Sequence, residues 1–343
     1  MKKKVAVLFG GQSTEHEVSR VSAASVLRNI DATKYDIYPI GITKDGRWFE
    51  YTGTIDKIES GEWEKDEFYK TPEGHKFLFN KEVDVVFPVL HGLYGEDGTI
   101  QGLCKLLNLP CTGPGVMSSA VCMDKVYTKY LLERFGVKQA EYVVVKAHEY
   151  KENNKHIIDE IEKKLTYPVF IKPSNSGSSV GITKAHNTEE LEFGLTEALK
   201  YDRKILVERG INAREVEVAV LGNDYPKAAV PGEIIPAKEF YDYEAKYKSE
   251  ASKLLIPAAS SDEKLEQIKA EAIRVYKILD CAGMARVDFL VDKNTEEVYL
   301  NEVNTIPGFT KISMYPKMWQ ASGKAYSSLI DELIELAIER NNG

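Results

Sequence analysis

The sequence has no excess of positive charge, no long apolar run and few cysteines, and each shortage closes a class of function. Over 343 residues, 53 acidic side chains outnumber 45 basic ones, for a formal net charge of -8. A surface that neutralises nucleic-acid phosphates needs a basic stripe. No nucleic-acid partner is therefore expected, and any polyanionic ligand must be met by local cations or metal ions. No apolar segment approaches the roughly 20 residues of a membrane span. The opening MKKKVAVLFGG sets basic residues before an apolar run. That run is shorter than the roughly 7–15 residues of a signal-peptide core, and no small-residue cleavage site follows it. It reads as a first β-strand. The cysteines Cys104, Cys111, Cys122 and Cys281 show no CxxC spacing and are expected as buried thiols, not disulfides or zinc ligands. Internal repeats and low-complexity tracts are missing too. A soluble, cytoplasmic protein with no membrane partner is expected.

What is present is an ordinary globular composition, 43% hydrophobic and 29% charged. At roughly 100–200 residues per domain it suggests two or three domains. The first part alternates strands (KVAVLFGG, YDIYPIGI, VDVVFPVLHG) with a helix, EVSRVSAASVLRNI, whose Val18, Val21, Ala24, Leu27 and Ile30 recur at helical spacing. Such alternation predicts a parallel sheet with helices outside, whose ligands sit beyond the carboxyl ends of the strands. Gly10-Gly11 and His91-Gly92 fall there. Helices are expected near residues 101–107 and 123–135, the second with Tyr127, Tyr130, Leu131 and Phe135 as its apolar face and Gly136 as its stop. A strand, a charged connector with a helix, a strand, a Gly/Ser loop and another strand follow, then the helix EELEFGLTEALKY and the strand KILVERGI. From about Glu215 onward strands dominate. A long helix there is opened by Ser260-x-x-Glu263, a capping-box pattern, and a last helix covers about residues 327–339.

Five stretches carry chemistry. In IKPSNSGSSVGITKA (residues 171–185) a strand ends in Lys172 and leads into small residues, whose backbone N–H groups can approach phosphate oxygens. It is not GxxxxGK[ST], so a Walker-type loop is excluded. In MARVDFLVDKNTEEVYLNEVN (residues 284–304) two strands flank a polar turn near 294–295. A hairpin closed there sets Asp288 about opposite Glu302, with Asn304 on the same face by the two-residue period and Arg286 pointing the way Asp288 points. Two carboxylates and an amide oxygen suit a hard cation such as Mg²⁺. Glu208 ends the strand ILVER, with Glu215 beyond it, where a carboxylate can accept from an amino or ribose group. In GGQSTEHEVS and LHGLYGEDGTIQG, Glu15 stands at a helix start, where it also complements the helix dipole. His16 is expected to be solvated, with no second histidine to complete HExxH, and His91 is either a positioned donor or a packed core group.

In this order, VLFGGQSTEHEVS, LHGLYGEDGTIQG, CMDK, IKPSNSGSSVG, FYDYEAKY, RVDF and NEVNTIPGFT resemble the ATP-grasp superfamily, and more closely the D-alanine–D-alanine ligase family, over essentially the whole chain. The resemblance implies an α/β (α+β) ATP-grasp fold of three domains. An N-terminal parallel α/β domain (1–122) precedes a central (123–213) and a C-terminal (214–343) ATP-grasp part, with ATP held between the sheets of the last two. It implies ATP-dependent joining of two D-alanines through a D-alanyl phosphate for peptidoglycan synthesis, two Mg²⁺ (or Mn²⁺) ions and a homodimer. It also implies roles. Glu15 would hold the first D-alanine's ammonium with His91 close by. Lys125 and Lys172 would contact ATP phosphates under the loop of Ser178 and Ser179. Glu208, Glu215 and the backbone near Arg209–Ile211 would take the adenine and ribose. Arg286 would stabilise developing charge. Asp288, Glu302 and Asn304 would ligate metal. Gly308, Ser313 and Met314 would sit at the second substrate. The chain departs from the family at Arg209-Gly210-Ile211, where Lys-Trp-Leu is common, and at Ile312, where a histidine is usual.

The stretch EFYDYEAKYKSE alternates with period two like an amphipathic edge strand. The resemblance makes it a loop folding over the site, with Lys246 reaching the transferred phosphate and Tyr247 bonding toward Ser178 and Glu15. Relatives that use D-lactate lack Glu-Ala-Lys-Tyr, which is intact at 244–247. D-Serine types carry Glu and Arg where Ala245 and Met314 stand here. D-Alanine is therefore the expected acceptor, ahead of a D-alanine–D-serine ligase. A catalytically silent nucleotide-binding protein on the same scaffold is the alternative from another class.

Overall fold

The computed structural model describes residues 2–80, 82–235 and 253–342. Lys246 and Tyr247, with the rest of EFYDYEAKYKSE, lie outside the described residues.

Three sheets organise the described residues. The first holds β1 (Lys3–Gly10), β2 (Tyr35–Ile42), β3 (Trp48–Tyr51), β4 (Lys70–Pro72) and β5 (Val85–Pro88), in the order β4-β3-β2-β1-β5. β1 runs parallel to β2 and β5. Val5, Ala6, Val7, Leu8 and Phe9 are all fully buried, as an unbroken apolar run in a central strand covered on both faces should be. The expected all-parallel sheet is nevertheless mixed, because β3 and β4 add on antiparallel. Asp45-Gly46 explains this: Gly46 adopts φ +84° and the Thr43 N–H bonds Arg47 O at 2.9 Å, a tight hairpin of the Asp-Gly kind. The hairpin clamps the fully buried Trp63 among Phe9, Phe49 and Tyr51.

The second sheet holds β6 (Tyr142–Lys146), β7 (Val169–Pro173), β8 (Thr183–Ala185) and β9 (Lys204–Arg209), all antiparallel, in the order β6-β9-β7-β8. Helices Asn154–Lys164 and Thr188–Ala198 cover it with Ile157, Ile161, Leu191 and Leu195. The third holds β10 (Ala213–Leu221), β11 (Lys227–Ala228), β12 (Gly232–Ile235), β13 (Lys253–Leu255), β14 (Met284–Asp292) and β15 (Val298–Asn304). Its order is β13-β12-β10-β14-β15, with β11 on β10. The β14–β15 hairpin pairs Asp288 with Glu302 and Arg286 with Asn304, the expected register, then shifts by one residue so that Asn301 bulges.

Three helix expectations change. Helix Lys125–Arg134 buries Val126, Thr128, Lys129 and Leu132 and leaves Tyr127, Tyr130 and Phe135 exposed. The tyrosines were the wrong face because a buried lysine is paired there. A separate helix, Val116–Met123, precedes it. The long helix Asp262–Ile278 is capped by Ser261, whose Oγ accepts from Lys264 N, while the Ser260 hydroxyl accepts from Arg214 instead. All four cysteines are buried free thiols. Among the described residues no helix is long and apolar enough to cross a membrane.

Candidate active site

The carboxyl ends of β1 and β5 form one wall. Gly10 and Gly11 turn the chain with φ +85° and +94° into the helix His16–Asn29, which Glu15 directly precedes without a side-chain capping bond. Glu15 is buried, and Ser178 donates to one of its oxygens. A Cβ on Gly92 or Gly177 would lie 2.5 Å from its other oxygen, so only glycine admits this approach at either position. His91 is buried with both ring nitrogens bonded, Nδ1 to Ile306 O and Nε2 to Ser22 Oγ, each at 2.9 Å. The carbonyl can only accept, so Nδ1 carries the proton and the Ser22 hydroxyl donates to Nε2. Burial lowers the His91 pKa, against the pull of Glu15. His91 is thus a positioned, neutral histidine. His16, expected in solvent, is also buried, with Nδ1 2.7 Å from Gly11 O and Nε2 3.1 Å from Glu64. The turn that buries Glu15 buries its neighbour as well.

Glu96, which the sequence reading passed over, ties this wall to the segment after β15. It accepts the N–H of Gly92 at 3.0 Å and of Ile306 at 3.1 Å. Burial and the nearby charge of Glu15 push its carboxyl up to about 8, and the two N–H groups oppose that only in part. Beyond it, Thr310 N donates to Ser313 Oγ at 3.0 Å, and Gly308 approaches so closely that a Cβ would lie 2.8 Å from the same oxygen. Met314 turns the other way. It is buried in the main apolar core with Tyr315 and Met318, and a Cβ on Gly232 would collide with its methyl group. The structure therefore brings Gly308 and Ser313 together and sends Met314 into the core.

The second wall is built from β7, β9 and the helix Lys125–Arg134. Glu208 is buried between two ammonium groups, Lys129 and Lys172, each 2.6 Å from one of its oxygens. Burial alone would raise this carboxyl, but the two lysines outweigh it and hold it at about 2. Lys125 donates to Ser176 O at 2.6 Å. Its helix is capped by Asp124, which accepts from Val126 N and Tyr127 N, from Ser174 Oγ at 2.6 Å, and from Lys204. The start of the Gly/Ser loop is thereby fixed to the helix that carries Lys125. Ser178 and Ser179 have φ +49° and +60°, a left-handed pair that bends the loop back toward Glu15. Arg209 and Gly210 spend their N–H groups on Glu141 O and Pro168 O, both at about 2.8–2.9 Å. Glu215 lies on β10 opposite Ile234 and Leu290, and Ile211 lies between β9 and β10.

The third wall is the β14–β15 hairpin. Arg286 donates to Asp288 through Nε at 2.8 Å and its terminal nitrogen at 2.7 Å, and its Nε is 3.1 Å from Glu217 on β10. Burial opposes the guanidinium charge, but Asp288 and Glu217 hold its pKa above the ordinary arginine value. Asn304 Nδ2 lies 2.9 Å from Asp288 Oδ2. The second and third walls face each other, since Lys172 reaches the bulged Asn301 at 3.4 Å and Lys125 stands 4.0 Å from Glu302. Asp288, Glu302 and Asn304 offer only oxygen donors plus one amide, on adjacent strands at one end of the hairpin. That set fits a hard divalent cation.

Two antiparallel sheets meeting across a cleft of lysines and carboxylates, beside an α/β sheet that supplies a buried glutamate, define an ATP-grasp protein. Residues 4–114 match the family D-ala D-ala ligase N-terminus, and residues 131–335 match D-ala D-ala ligase C-terminus. The chain is 79% identical over 342 residues to the D-alanine–D-alanine ligase of Clostridium novyi and 78% identical to that of Clostridium acetobutylicum, covering 100% of each chain. Among solved structures, the VanG D-Ala:D-Ser ligase from Enterococcus faecalis is similar at 41% identity and TM-score 0.89, over 98% of this chain and 100% of that one. The D-alanine–D-alanine ligase from Coxiella burnetii is similar at 38% identity and TM-score 0.87, over 99% and 95%. The chain belongs to the D-alanine–D-alanine ligase family.

Proposed function

We propose that the protein joins two D-alanines to D-alanyl-D-alanine, with ATP converted to ADP and phosphate, in peptidoglycan precursor synthesis. The observation that carries this reading is the arrangement of Arg286, Asp288, Glu302 and Asn304 opposite Lys125 and Lys172, with Lys125 4.0 Å from Glu302. Nearly five negative charges, on ATP and a carboxylate, have to meet in one place, and only a cation-rich, preorganised cleft lowers that barrier.

In the first step a D-alanine carboxylate oxygen attacks the γ-phosphorus. The bond to the β-phosphate oxygen breaks, and ADP leaves with its electron pair. Glu15 receives the ammonium of this D-alanine beside the neutral His91. Lys125, Lys172 and the Ser178–Ser179 backbone hold the phosphates, Glu208 and Glu215 take the base and ribose, and Arg286 faces the charge that develops. Arg209 and Ile211 border the base. In the second step the amine of the other D-alanine, having lost one ammonium proton, attacks the acyl carbon. The carbon–oxygen bond breaks, phosphate leaves, and the nitrogen releases a second proton. Gly308 and Ser313 bind this acceptor. Asp288, Glu302 and Asn304 would hold Mg²⁺ or Mn²⁺, which when bound neutralises polyphosphate charge. An acyl phosphate survives only where water is kept out.

The same reading divides the chain at 122/123 and 213/214, and makes it a cytoplasmic homodimer. A D-serine acceptor is the second reading, favoured by the VanG ligase at TM-score 0.89. Relatives at 79% and 78% identity that carry the D-alanine–D-alanine name weigh more. Mass spectrometry of products from mixed D-alanine, D-serine and D-lactate tests the choice. D-Alanyl-D-alanine should dominate at neutral pH, and a D-alanyl-D-serine majority would overturn it.

A further inference from the structure

Lys129 has no place in the roles assigned above, yet it is among the most enclosed cations of the chain, 2% exposed. A lysine is almost never so buried unless paired. It stands one helical turn beyond Lys125, on the same face of Lys125–Arg134. Lys125 reaches the Gly/Ser loop, and Lys129 reaches Glu208 at 2.6 Å. The Lys129 ammonium also lies 3.5 Å from Ala140 O and 5.1 Å from the centre of the Tyr142 ring. All three partners belong to β6, β9 and the segment before β6, and they point inward. Lys172, on the other oxygen of Glu208, has a second set of neighbours across the cleft, with Asn301 at 3.4 Å and the charges of Glu302 and Glu215 close by.

Two cations therefore share one anion, and only Lys172 also has neighbours across the cleft. A buried pair is poor evidence for stability, since apolar residues of similar volume often fill such a space at lower cost. What a cation adds is charge balance. If Glu208 had Lys172 alone, binding a polyphosphate would force a choice. Lys172 would stay neutralised by Glu208, or it would leave behind an unpaired buried carboxylate.

We propose that Lys129 is a positioning residue for nucleotide binding. It holds Glu208 in place, so that Lys172 is released to the polyphosphate while Glu208 remains an ionised acceptor for the base. This rests on the ATP-dependent reading of the site and adds to it a division of labour between two lysines. Among the described residues, the groups facing Glu208 are Lys129 from the helix, Lys172 from β7 and Tyr142 from β6. Tyr142 is itself bonded to Glu133 at 2.6 Å and has Lys164 5.7 Å from its ring. Of these, only Lys129 and Lys172 are cations in contact with the carboxylate.

The test is calorimetric titration of the full chain with the non-hydrolysable ATP analogue AMPPNP and Mg²⁺, without D-alanine, across about pH 6 to 8.5. Lys129→Met should weaken binding at least about tenfold relative to wild type. The ratio of the two should widen as pH rises, because a Glu208 left alone must take up a proton. Lys129→Arg should return the affinity to within about threefold and flatten the ratio. In a Glu208→Gln background the further change Lys129→Met should alter affinity by less than about twofold, since Lys129 acts through that carboxylate. A pH-independent loss, or an equal loss in the Glu208→Gln background, would overturn the proposal. Should Lys129→Met fail to fold, the double variant set against Glu208→Gln decides alone. No added loss supports the proposal, and a further tenfold loss contradicts it. A wild type that binds the analogue but makes no dipeptide would sink the ligase reading and leave this inference standing.

Discussion

Glu208, buried, and Glu96, half-buried, are two carboxylates in one cleft, and their surroundings drive them in opposite directions. Glu208, on the proposed nucleotide side, sits between Lys129 and Lys172 at 2.6 Å and is held at about 2. Glu96, on the proposed amino-acid side, has no cation in contact among its described partners. It has two backbone N–H groups and the charge of Glu15 nearby, and it is pushed up to about 8. Burial penalises both charges, so the difference comes from what each is paired with. Where the proposed ligand is a polyanion, the wall keeps surplus cations and anchors them on one fixed anion. Where it is an ammonium, the wall keeps carboxylate character and neutral hydrogen-bonding groups, with His91 uncharged.

The largest break in this comparison should come from Glu208→Gln, which strands two ammonium groups, one of them deeply buried. It should cost about 3 kcal/mol or more, read as a lower urea midpoint at neutral pH. The sign follows from the lowered carboxyl. The stabilisation by Glu208 is present above the unfolded carboxylate range and is lost as pH falls toward about 2. The variant's stability should accordingly fall less steeply than wild type's on acidification.

Next, Arg286→Met removes the charge clamped by Asp288 and Glu217 at the other rim of the nucleotide side. The expected loss is about 10²–10³-fold in kcat for D-alanine-dependent ADP release, with nucleotide affinity changed far less. Glu96→Ala comes third. Orphaning the Gly92 and Ile306 N–H groups should cost about 1–3 kcal/mol and raise KM for D-alanine. The raised carboxyl also fixes a sign of its own. Glu96 stabilises the fold below the unfolded carboxylate range, and that contribution is lost as pH rises toward about 8. Wild type should lose stability over that window, and Glu96→Ala should lose less. The smallest effect belongs to Ser178→Ala, which removes one hydroxyl from Glu15. The expected loss is about 1 kcal/mol in first-substrate binding, read as a few-fold rise in KM for D-alanine at unchanged ATP KM.

The nucleotide side was the more legible in the sequence because its geometry is local. The β14–β15 register follows from one polar turn and a two-residue period, and Asp288 does pair with Glu302. Lys172 at the end of a strand before small residues needs no distant information either. What stayed hidden depends on partners far along the chain. Lys129 carries no signal of its own in the sequence, since its partner Glu208 is brought to it only by β9, and Tyr127 and Tyr130, expected on the inner face, are exposed. Glu96 gains its meaning from Ile306, and His16 from Glu64 and the Gly11 carbonyl. The Asn301 bulge that aims a side chain at Lys172 has no composition signal. The Asp45-Gly46 hairpin did have one, and it marks where the parallel sheet turns mixed.

What the protein makes from ATP is the most direct test of the ligase reaction. Purified protein with ATP, Mg²⁺ and D-alanine should release ADP only when D-alanine is present, and mass spectrometry should find D-alanyl-D-alanine formed one for one with ADP. ADP release that ignores D-alanine, or no release at all, would contradict it.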